Sequence, residues 1–323
     1  MPELVLEVER LRKFFTSKRG FPNPETTIVR AVDEVSFTVA AGEAFGLVGE
    51  SGCGKSTVGR AVLRLVEPDS GGVRFHGEDV LAAPRRRLDY LRQKLQIVFQ
   101  DPYSSLNPRR MIGKALAEPM RVHGLGTPKE IEERVEALLA EVGLAPESRW
   151  RYPHEFSGGQ RQRIGIARAL ALGPELVVAD EPVSALDVSI QSQILILLQR
   201  LQRDHGLSYL FISHDLGVVR YFCQRMAVMY LGRIVEEGPI PSIFDEPLHP
   251  YTQLLRDSSP VPDPKAKVAM RALEGEVPSA VNPPSGCHFH TRCPKAMEIC
   301  RSVYPPWTPM GEGRGVACHL HGS

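Results

Sequence analysis

The sequence predicts an α/β fold with a mainly parallel core sheet. One observation is a glycine-rich loop that stands between an apolar run and a helical pattern, at residues 44–66. Another is a pair of continuous apolar runs, 176–179 and 209–212, each followed by polar or charged side chains, which is typical of buried parallel strands. The third is a stretch of helical periodicity, interrupted by glycine and proline, from about 101 to 160.

The composition is that of an ordinary globular protein. The 323 residues are 42% hydrophobic and 24% charged, with a formal net charge of +1, so no overall positive field favours nucleic acid. No apolar run approaches the length that spans a bilayer, and residues 1–8 do not resemble a signal peptide. We therefore expect a cytoplasmic chain, of about two domains, that reaches a membrane only through partners.

The glycine-rich loop, Gly49–Thr57, matches the pattern G-x-x-x-x-G-K-[ST] of a phosphate-binding loop. Its glycines let backbone N–H groups point into one concavity, next to the positive end of the following helix. We expect Lys55 to reach the β- and γ-phosphates and Ser56 to ligate Mg²⁺. The alternative, a glycine-rich turn without nucleotide, is disfavoured by the Lys-Ser pair. The loop residues assigned to nucleotide are Gly49, Ser51, Gly52, Cys53, Gly54, Lys55, Ser56 and Thr57.

The segment before this loop is predicted to form strands. Residues 4–9 predict one strand, a polar loop ends at residue 27, and 29–39 alternate enough for a second and a third strand. An aromatic side chain that precedes a phosphate-binding loop can stack on adenine. Phe15 is the candidate and Phe14 the alternate, while core packing of both rings is an equally good interpretation.

The segment after the loop helix predicts a strand at residues 95–100 and then the helical insertion. Gln100 ends the strand, from where its amide can reach Mg²⁺ or the attacking water. The insertion ends in a helix start with an N-cap serine and exposed N–H groups, which forms a second anion site without a lysine. We expect this site to serve a nucleotide held mainly elsewhere. Its residues are Ser157, Gly158, Gly159 and Gln160.

The two apolar runs named above end in side chains suited to phosphate chemistry. Asp180 is placed to hold Mg²⁺ through water, and Glu181 to polarise the hydrolytic water. His214 is interpreted as a γ-phosphate contact, because ligands of open α/β sheets lie at the carboxyl ends of strands. A surface acidic pair and a structural histidine are the alternative interpretations.

These motifs, in this order, resemble the nucleotide-binding subunit of an ABC transporter. The matches are Gly49–Ser56 with Walker A, Gln100 with the Q-loop, Ser157–Gln160 with the signature motif, Asp180 and Glu181 with Walker B and the catalytic glutamate, Ser184–Asp187 with the D-loop, and His214 with the switch histidine. Phe156 stands where leucine is commoner in the signature motif.

The resemblance covers residues 1–258. It implies a P-loop ATPase domain with a parallel core sheet, an antiparallel β subdomain and a helical subdomain at about 101–160. It also implies that Asp187 contacts nucleotide. The implied catalytic residues are Lys55, Gln100, Glu181 and His214, and the implied Mg²⁺ ligands are Ser56, Gln100 and Asp180.

A narrower resemblance rests on four segments outside these motifs: Gln100–Pro108, Tyr152–Phe156, Pro247–Thr252 and Pro283–Cys287. Together they are similar to the ATPases of oligopeptide/dipeptide importers, and closest to the F-type subunit. Nickel and glutathione importers share much of this pattern, so those solutes stay open. A soluble ATPase of DNA maintenance or translation and an exporter ATPase are further alternatives, although the sequence shows no coiled-coil insertion, second cassette or fused membrane span.

The resemblance also implies partners. Two cassettes meet head to tail, and Ser157–Gln160 of one closes over the ATP of the other. An F-type chain pairs with a D-type relative, as a heterodimer of paralogous ATPase subunits. The pair drives two transmembrane permease subunits at the cytoplasmic face of the membrane, and an extracytoplasmic solute-binding protein delivers the substrate. The insertion and the region after Gln100 are expected to contact the permeases.

From Pro260 onward prolines cluster, so residues 259–323 predict a small C-terminal extension. Four cysteines there are spaced C-x5-C-x6-C-x17-C, which is neither the bacterial ferredoxin run nor a zinc finger. The resemblance implies a [4Fe–4S] cluster on them; zinc and unliganded thiols are the alternatives. The cysteines are Cys287, Cys293, Cys300 and Cys318, and the histidines that could assist zinc are His288, His290, His319 and His321. Cys53 and Cys223 are expected to have no metal-ligand role.

Overall fold

Twelve strands and nine α-helices, counted over the described parts of the chain, build two sheets and the helices that cover them. The structure is a computed structural model that describes residues 3–19, 25–101, 103, 106–258 and 278–322. The strands are β1 (Leu4–Arg19), β2 (Glu25–Ala40), β3 (Ala44–Val48), β4 (Ser70–Phe75), β5 (Glu78–Asp79), β6 (Leu95–Val98), β7 (Leu176–Asp180), β8 (Ser208–Ser213), β9 (Arg225–Tyr230), β10 (Arg233–Pro239), β11 (Trp307–Gly311) and β12 (Arg314–Ala317). The helices are α1 (Lys55–Val62), α2 (Arg85–Lys94), α3 (Ile112–Val122), α4 (Pro128–Glu141), α5 (Gly158–Leu170), α6 (Val188–His205), α7 (Leu216–Phe222), α8 (Ile240–Asp245) and α9 (Pro250–Asp257).

The larger sheet is the predicted core sheet, and it carries the phosphate-binding loop. Its strand order is β11-β12-β10-β9-β3-β8-β7-β6, and pairing is parallel from β9 through β6. The strands β3, β7 and β8 are buried along their whole length, which is why their sequences are continuously apolar. Because parallel strands share one direction, the loops that follow β3, β6, β7 and β8 meet at one edge.

The smaller sheet is antiparallel, as expected, with the order β2-β1-β4-β5. Two predictions about it were wrong. Strand β1 runs beyond the predicted end at residue 9 and includes residues 16–19, which were predicted to be loop, and residues 25–40 form one strand instead of two. Register shifts between Val8 and Lys13 and a φ of 42° at Arg10 bend β1. Such bulges interrupt the alternation from which strand ends are predicted. Residues 20–24 lie outside the described part of the chain.

One apolar cluster lies between the two sheets and encloses α1. This helix buries Val58, Ala61 and Val62 in that cluster, and the rings of Phe37 and Phe45 stack across it with centroids 5.2 Å apart. A second cluster covers the opposite face of the core sheet and includes the helical insertion and α6. Packing from both faces therefore fixes the strand ends that carry the candidate site.

The predicted insertion is helical from Ile112 onward. It contains α3, α4 and two short 3₁₀ turns, Pro146–Trp150 and Pro153–Glu155, before α5 begins. A capping box starts α4: the Thr127 side chain accepts from the backbone N–H of Glu130, and the Glu130 side chain accepts from that of Thr127. Residues 102, 104 and 105, part of the segment similar to peptide importers, are not among the described residues.

The described part of the C-terminal extension, residues 278–322, is joined to the core sheet. Strand β12 pairs antiparallel with β10, and β11 pairs with β12. Phe289 is buried among aromatic rings of the core, with centroids 5.2 Å from Tyr230 and 5.3 Å from Tyr251. Residues 259–277, where the extension is predicted to begin, lie outside the described chain.

A buried histidine holds α9 in place beside this aromatic group. The Nδ1 atom of His249 accepts from the backbone N–H of Tyr251 at 3.0 Å, and its own backbone N–H donates to Glu236 Oε2 at 2.9 Å. Burial lowers the pKa of His249 to about 3, with a smaller contribution from nearby His321. The neutral imidazole is therefore part of the folded state.

We expect stability to fall as the pH drops from about 6.5, the ordinary pKa of histidine, toward 3. The pKa of His249 is lower in the folded than in the unfolded chain, so the unfolded chain takes the proton first. The loss from this one group is at most about 1.4 kcal/mol per pH unit. His249→Asn, which can still cap α9, should flatten the pH dependence of the melting temperature.

The matched control is His154→Asn, because His154 is exposed and should leave that pH dependence unchanged. An identical pH dependence in wild type and His249→Asn would contradict the assignment.

Candidate active site

The phosphate-binding loop connects β3 to α1 and is closed by the side chain of Lys55. Gly54, directly before α1, has a φ of 107°, and a Cβ at this position would lie 1.9 Å from the Ala31 carbonyl oxygen. Only glycine fits there. Lys55 is buried, and its Nζ donates to the carbonyl oxygens of Gly49 at 2.8 Å and Glu50 at 2.9 Å. The ammonium group thus lies inside the loop that is expected to receive phosphates.

Cys53 anchors this loop. It is buried, and its carbonyl oxygen accepts from the backbone N–H of Gly232 at 2.9 Å. Lys55 Nζ lies 3.8 Å from its Sγ. Burial raises the pKa of the Cys53 thiol, and the nearby lysine opposes that shift. The thiol is therefore neutral and packed.

The two residues expected at Mg²⁺, Ser56 and Asp180, are in contact. Ser56 Oγ donates to Asp180 Oδ1 at 2.7 Å. Burial raises the pKa of Asp180, while the Ser56 hydrogen bond and the charge of Arg60 lower it. The third expected ligand, Gln100, lines the same cavity of about 560 Å³ as Asp180. Because Mg²⁺ takes few protein oxygens beside phosphate and water, this hydroxyl and carboxylate fit it.

Three predicted catalytic side chains meet at the ends of β6, β7 and β8. Glu181 Oε2 lies 2.9 Å from Gln100 Nε2, which donates to it, and 3.2 Å from His214 Nδ1. The Glu181 side chain is 11% exposed, while that of His214 is 51% exposed. A carboxylate fixed between an amide and an imidazole can orient a water molecule or accept its proton.

The backbone at Glu181 is unusual. Its φ is 48°, in the left-handed region that non-glycine residues seldom adopt. The Glu181 N–H donates to the Ile212 carbonyl oxygen at 2.9 Å, and the Glu181 carbonyl oxygen accepts from Ser184 Oγ at 3.1 Å. These bonds hold a strained turn that points the carboxylate back toward β6 and β8. Strain of this kind often accompanies function.

The second predicted anion site begins α5, and its polar side chains are bonded to each other. Gln160 N–H donates to Ser157 Oγ at 3.3 Å, and Ser157 N–H donates to Gln160 Oε1 at 3.0 Å. Gly158 is exposed and lines a small cavity with Gln100. A Cβ at Gly159 would lie 2.5 Å from Ile190 of α6, so glycine there permits close packing of the two helices.

Asp187 of the predicted D-loop caps α6. Its Oδ1 accepts from the backbone N–H of Ile190 at 2.9 Å, and Ile190 is the residue that packs on Gly159. The side chain expected to contact nucleotide therefore also fixes the start of the helix behind the second anion site. Its nucleotide contact stays a prediction.

Phe15 is an exposed ring on β1. It is 42% exposed, and Lys13 Nζ lies 5.5 Å from its centroid. Phe14 is half-buried, with the Arg30 guanidinium 6.0 Å from its ring. The interpretation of Phe15 as a core residue is therefore wrong, since its ring is open to solvent. Its stacking on adenine stays a prediction.

The four cysteines of the extension lie near one another. Cys287 N–H donates to the Cys300 carbonyl oxygen at 2.8 Å. Burial raises the pKa of Cys287 to about 11, and the other three thiols add to the shift. Among the residues that the structure describes, however, no group of three or more His, Cys, Asp or Glu side chains is arranged to hold a metal ion. The expectation of a metal at these cysteines is thus not supported by the structure.

The histidines proposed as zinc ligands point elsewhere. His290 bonds to the Cys287 carbonyl oxygen at 2.9 Å, and His319 to that of Val303 at 2.9 Å. His321 bonds to the Leu248 carbonyl oxygen at 3.1 Å. Burial lowers the pKa of His288 to about 4. Three of these rings are therefore bonded through one nitrogen to backbone carbonyl oxygens.

Sequence reasoning missed two side chains that touch the loop, and the loop residue Glu50 that they contact. Tyr251 Oη accepts from the Glu50 backbone N–H at 2.9 Å, and Arg292 donates to both Glu50 carboxylate oxygens. Glu50 occupies a variable position of the loop pattern, so the pattern carries no signal for it. The contacts join residues about 200 positions apart, and only folding brings them together.

Two family models match the chain. The ABC transporter model matches residues 32–184, and the model of the oligopeptide/dipeptide transporter C-terminal region matches residues 235–300. A probable peptide ABC transporter ATP-binding protein of Sinorhizobium fredii is 52% identical, over 99% of this chain and 91% of that protein. An oligopeptide transport ATP-binding protein of Bacillus subtilis is 50% identical, over 99% of this chain and 98% of that protein.

Solved structures share the fold. An ATP-binding cassette solved as a dimer in a post-hydrolysis state with ADP and Pi has a TM-score of 0.63 and 28% identity, covering 73% of this chain and 98% of that one. A cassette of a Clostridium perfringens ABC transporter complex has a TM-score of 0.63 and 26% identity, covering 76% of this chain and 92% of that one. With the identity to full-length relatives, these matches show that the chain belongs to the ATP-binding subunits of ABC transporters, in the oligopeptide/dipeptide branch of that family.

Proposed function

We propose that this chain hydrolyses ATP to power the import of di- and oligopeptides by a membrane ABC transporter. The observation that carries the proposal is the meeting of Gln100, Glu181 and His214 at the sheet edge that also holds Lys55 and the Ser56–Asp180 pair. Peptides are favoured as cargo because the relatives of the chain are named for peptide or oligopeptide transport.

The phosphate-binding loop binds the nucleotide by exchanging partners. Lys55 donates to two loop carbonyls and Ser56 to Asp180. When phosphates enter, Lys55 turns from these carbonyls to the β- and γ-oxygens, and the loop N–H groups donate to the same oxygens. Ser56 and Asp180 would hold Mg²⁺, which would supply positive charge at the phosphates. Catalysis here is mainly positioning and charge compensation.

Glu181 orients the attacking water and accepts its proton. Gln100 donates to the carboxylate at 2.9 Å and keeps it directed at the site. His214, half-exposed and 3.2 Å from the same carboxylate, moves to the γ-phosphate when nucleotide fills the cavity. The strand ends that carry these groups are fixed by the core, so their alignment needs only side-chain rotations.

A second cassette completes the site. The exposed helix start at Ser157 and Gly158 offers N–H groups without a lysine, as suits a site that closes over ATP held by another chain. A cassette of the same fold is dimeric with ADP and Pi bound. For this chain we propose a paralogous ATPase subunit as the partner; the alternative is a homodimer.

The helical insertion carries the surface proposed for the permeases. Basic side chains line a cavity of about 590 Å³ there, including Arg109, Lys114 and Arg121. The large apolar side chains of Val122 and Trp150 are exposed nearby. Within the described residues, no helix combines the length and apolar character needed to cross a bilayer. As for other peptide importers, we propose that two permease subunits supply the membrane path, that this chain binds at their cytoplasmic face, and that a solute-binding protein delivers the cargo.

We propose that the four C-terminal cysteines hold a [4Fe–4S] cluster. Four thiols are the number that such a cluster takes, and they lie in one short segment where neighbouring thiols raise one another's pKa values. Raised thiol pKa values mean that loading must release protons, so cluster assembly should weaken at low pH.

Glu181→Gln should bind ATP as wild type does and lower turnover by about 10²–10³-fold, because the amide cannot accept the proton of water. Hydrolysis by the purified complex and a separate ATP titration measure the two effects. Glu175→Gln is the matched control, since Glu175 precedes the opposite end of β7 and pairs with Lys94. Wild-type turnover in Glu181→Gln would remove Glu181 from this role.

Short peptides should stimulate ATP hydrolysis by the complex purified from its own membranes through a tag on this chain. The assay compares peptides with nickel and glutathione, each with the solute-binding protein present. Stimulation by nickel or glutathione, without stimulation by peptides, would identify that solute as the cargo instead. Recovery of the chain without any membrane subunit would instead support a soluble ATPase.

Anaerobically purified protein should contain about four iron and four sulfide per chain if each [4Fe–4S] cluster has full occupancy. Cys293→Ser should lower both, and Cys223→Ser, at a buried position, is the matched control. Protein that lacks both iron and sulfide would contradict the proposed cluster. Stoichiometric zinc would show that the cysteines hold zinc instead.

A further inference from the structure

The C-terminal extension is tied to the phosphate-binding loop by an ion pair between Arg292 and Glu50. The guanidinium donates to both carboxylate oxygens, at 2.9 and 3.0 Å. The Arg292 side chain is 4% exposed and that of Glu50 18%, so water has little access to the pair. A bidentate contact of this kind sets the direction of the carboxylate as well as its position.

Glu50 is bonded through its backbone as well. Its N–H donates to Tyr251 Oη at 2.9 Å, and its carbonyl oxygen accepts from Lys55 Nζ at 2.9 Å. The same carbonyl accepts from Cys53 N–H at 3.3 Å. A continuous chain of contacts therefore runs from Arg292 through Glu50 to the ammonium group that is expected to meet the phosphates.

Contacts with buried residues fix the position of Arg292. Its backbone N–H donates to the Phe289 carbonyl oxygen at 3.0 Å. The guanidinium lies 6.0 Å from the ring centroids of Tyr230 and Phe289, and 3.4 Å from Tyr230 Oη. Its contact with Glu50 raises the pKa of Arg292 further above its ordinary value. The cation is thus a fixed part of the core and not a mobile surface group.

We propose that Arg292 is a positioning residue for ATP binding, through which the C-terminal extension sets the conformation of the phosphate-binding loop. The ion pair keeps Glu50 directed away from the phosphate concavity and places the carbonyl oxygen that orients Lys55. Without the pair, a free carboxylate next to the concavity would repel phosphate. The inference rests on the ATP site proposed above and adds a residue that lies outside its motifs.

The effect should fall on binding and not on the chemical step. Gln100, Glu181 and His214 contact each other at the ends of other strands, and none of their described hydrogen bonds involves Glu50 or Arg292. A merely structural role would instead lower the amount of folded protein and leave the ATP affinity of the folded fraction unchanged.

The test is ATP titration and steady-state hydrolysis by the full transporter complex. Arg292→Gln should weaken ATP binding and raise KM about tenfold, equivalent to about 1.4 kcal/mol, with kcat within about twofold. Arg292→Lys should recover part of the affinity for ATP, because it keeps the charge but not the bidentate contact. The matched control is Arg301→Gln in the same extension, where the side chain is 70% exposed; it should match wild type.

A double-mutant cycle separates the pair from its surroundings. Glu50→Gln removes the carboxylate charge and relieves the repulsion, so Arg292→Gln should weaken binding far less in that background than in wild type. If Arg292→Gln does not fold, the ATP affinities of Arg292→Lys, Glu50→Gln and the double variant are compared instead. Wild-type affinity in the Arg292 variants, or fully additive losses, would overturn the proposal. A wild-type complex that binds no ATP would instead contradict the proposed function itself.

Discussion

Parallel pairing in the core sheet requires β3, β6, β7 and β8 to end at the same edge, and the candidate site depends on this constraint. Each strand is followed by a residue or loop of the site, so side chains more than 100 positions apart, such as Ser56 and Asp180, become neighbours. Burial on both faces keeps the strands in register. The backbone positions of Gln100, Glu181 and His214 are therefore set by the hydrophobic core, and their polar contacts then orient the side chains.

Polar groups at this edge cannot be left without partners, because desolvated charges are costly. Lys55 is bonded to loop carbonyls, Ser56 to Asp180, and Glu181 to Gln100. Nucleotide binding is expected to exchange the Lys55 and Ser56 bonds for bonds to phosphate and Mg²⁺, so the affinity for nucleotide is a difference between two satisfied states. The carboxylate and the N–H of Glu50 are the exception, since their partners Arg292 and Tyr251 lie in the extension and the core and are expected to persist.

The parts of the structure that could be predicted are those with a local signal. The phosphate-binding loop has a fixed spacing, and a buried parallel strand has a continuous apolar sequence, so Lys55, Asp180 and His214 could be placed from the chain alone. The length of β1 could not, because its bulges break the alternation. The contact between Arg292 and Glu50 spans 242 positions, and nothing in the nearby sequence of either residue indicates it.

The most direct test of this account is an experimental structure of the Glu181→Gln transporter complex with ATP and Mg²⁺. The account predicts the β- and γ-phosphates on Lys55 Nζ and the loop N–H groups, with Mg²⁺ between Ser56 and Asp180. It also predicts that Glu50 keeps its contacts with Arg292 and Tyr251. Nucleotide bound away from this edge, with Lys55 still on the carbonyl oxygens of Gly49 and Glu50, would contradict it.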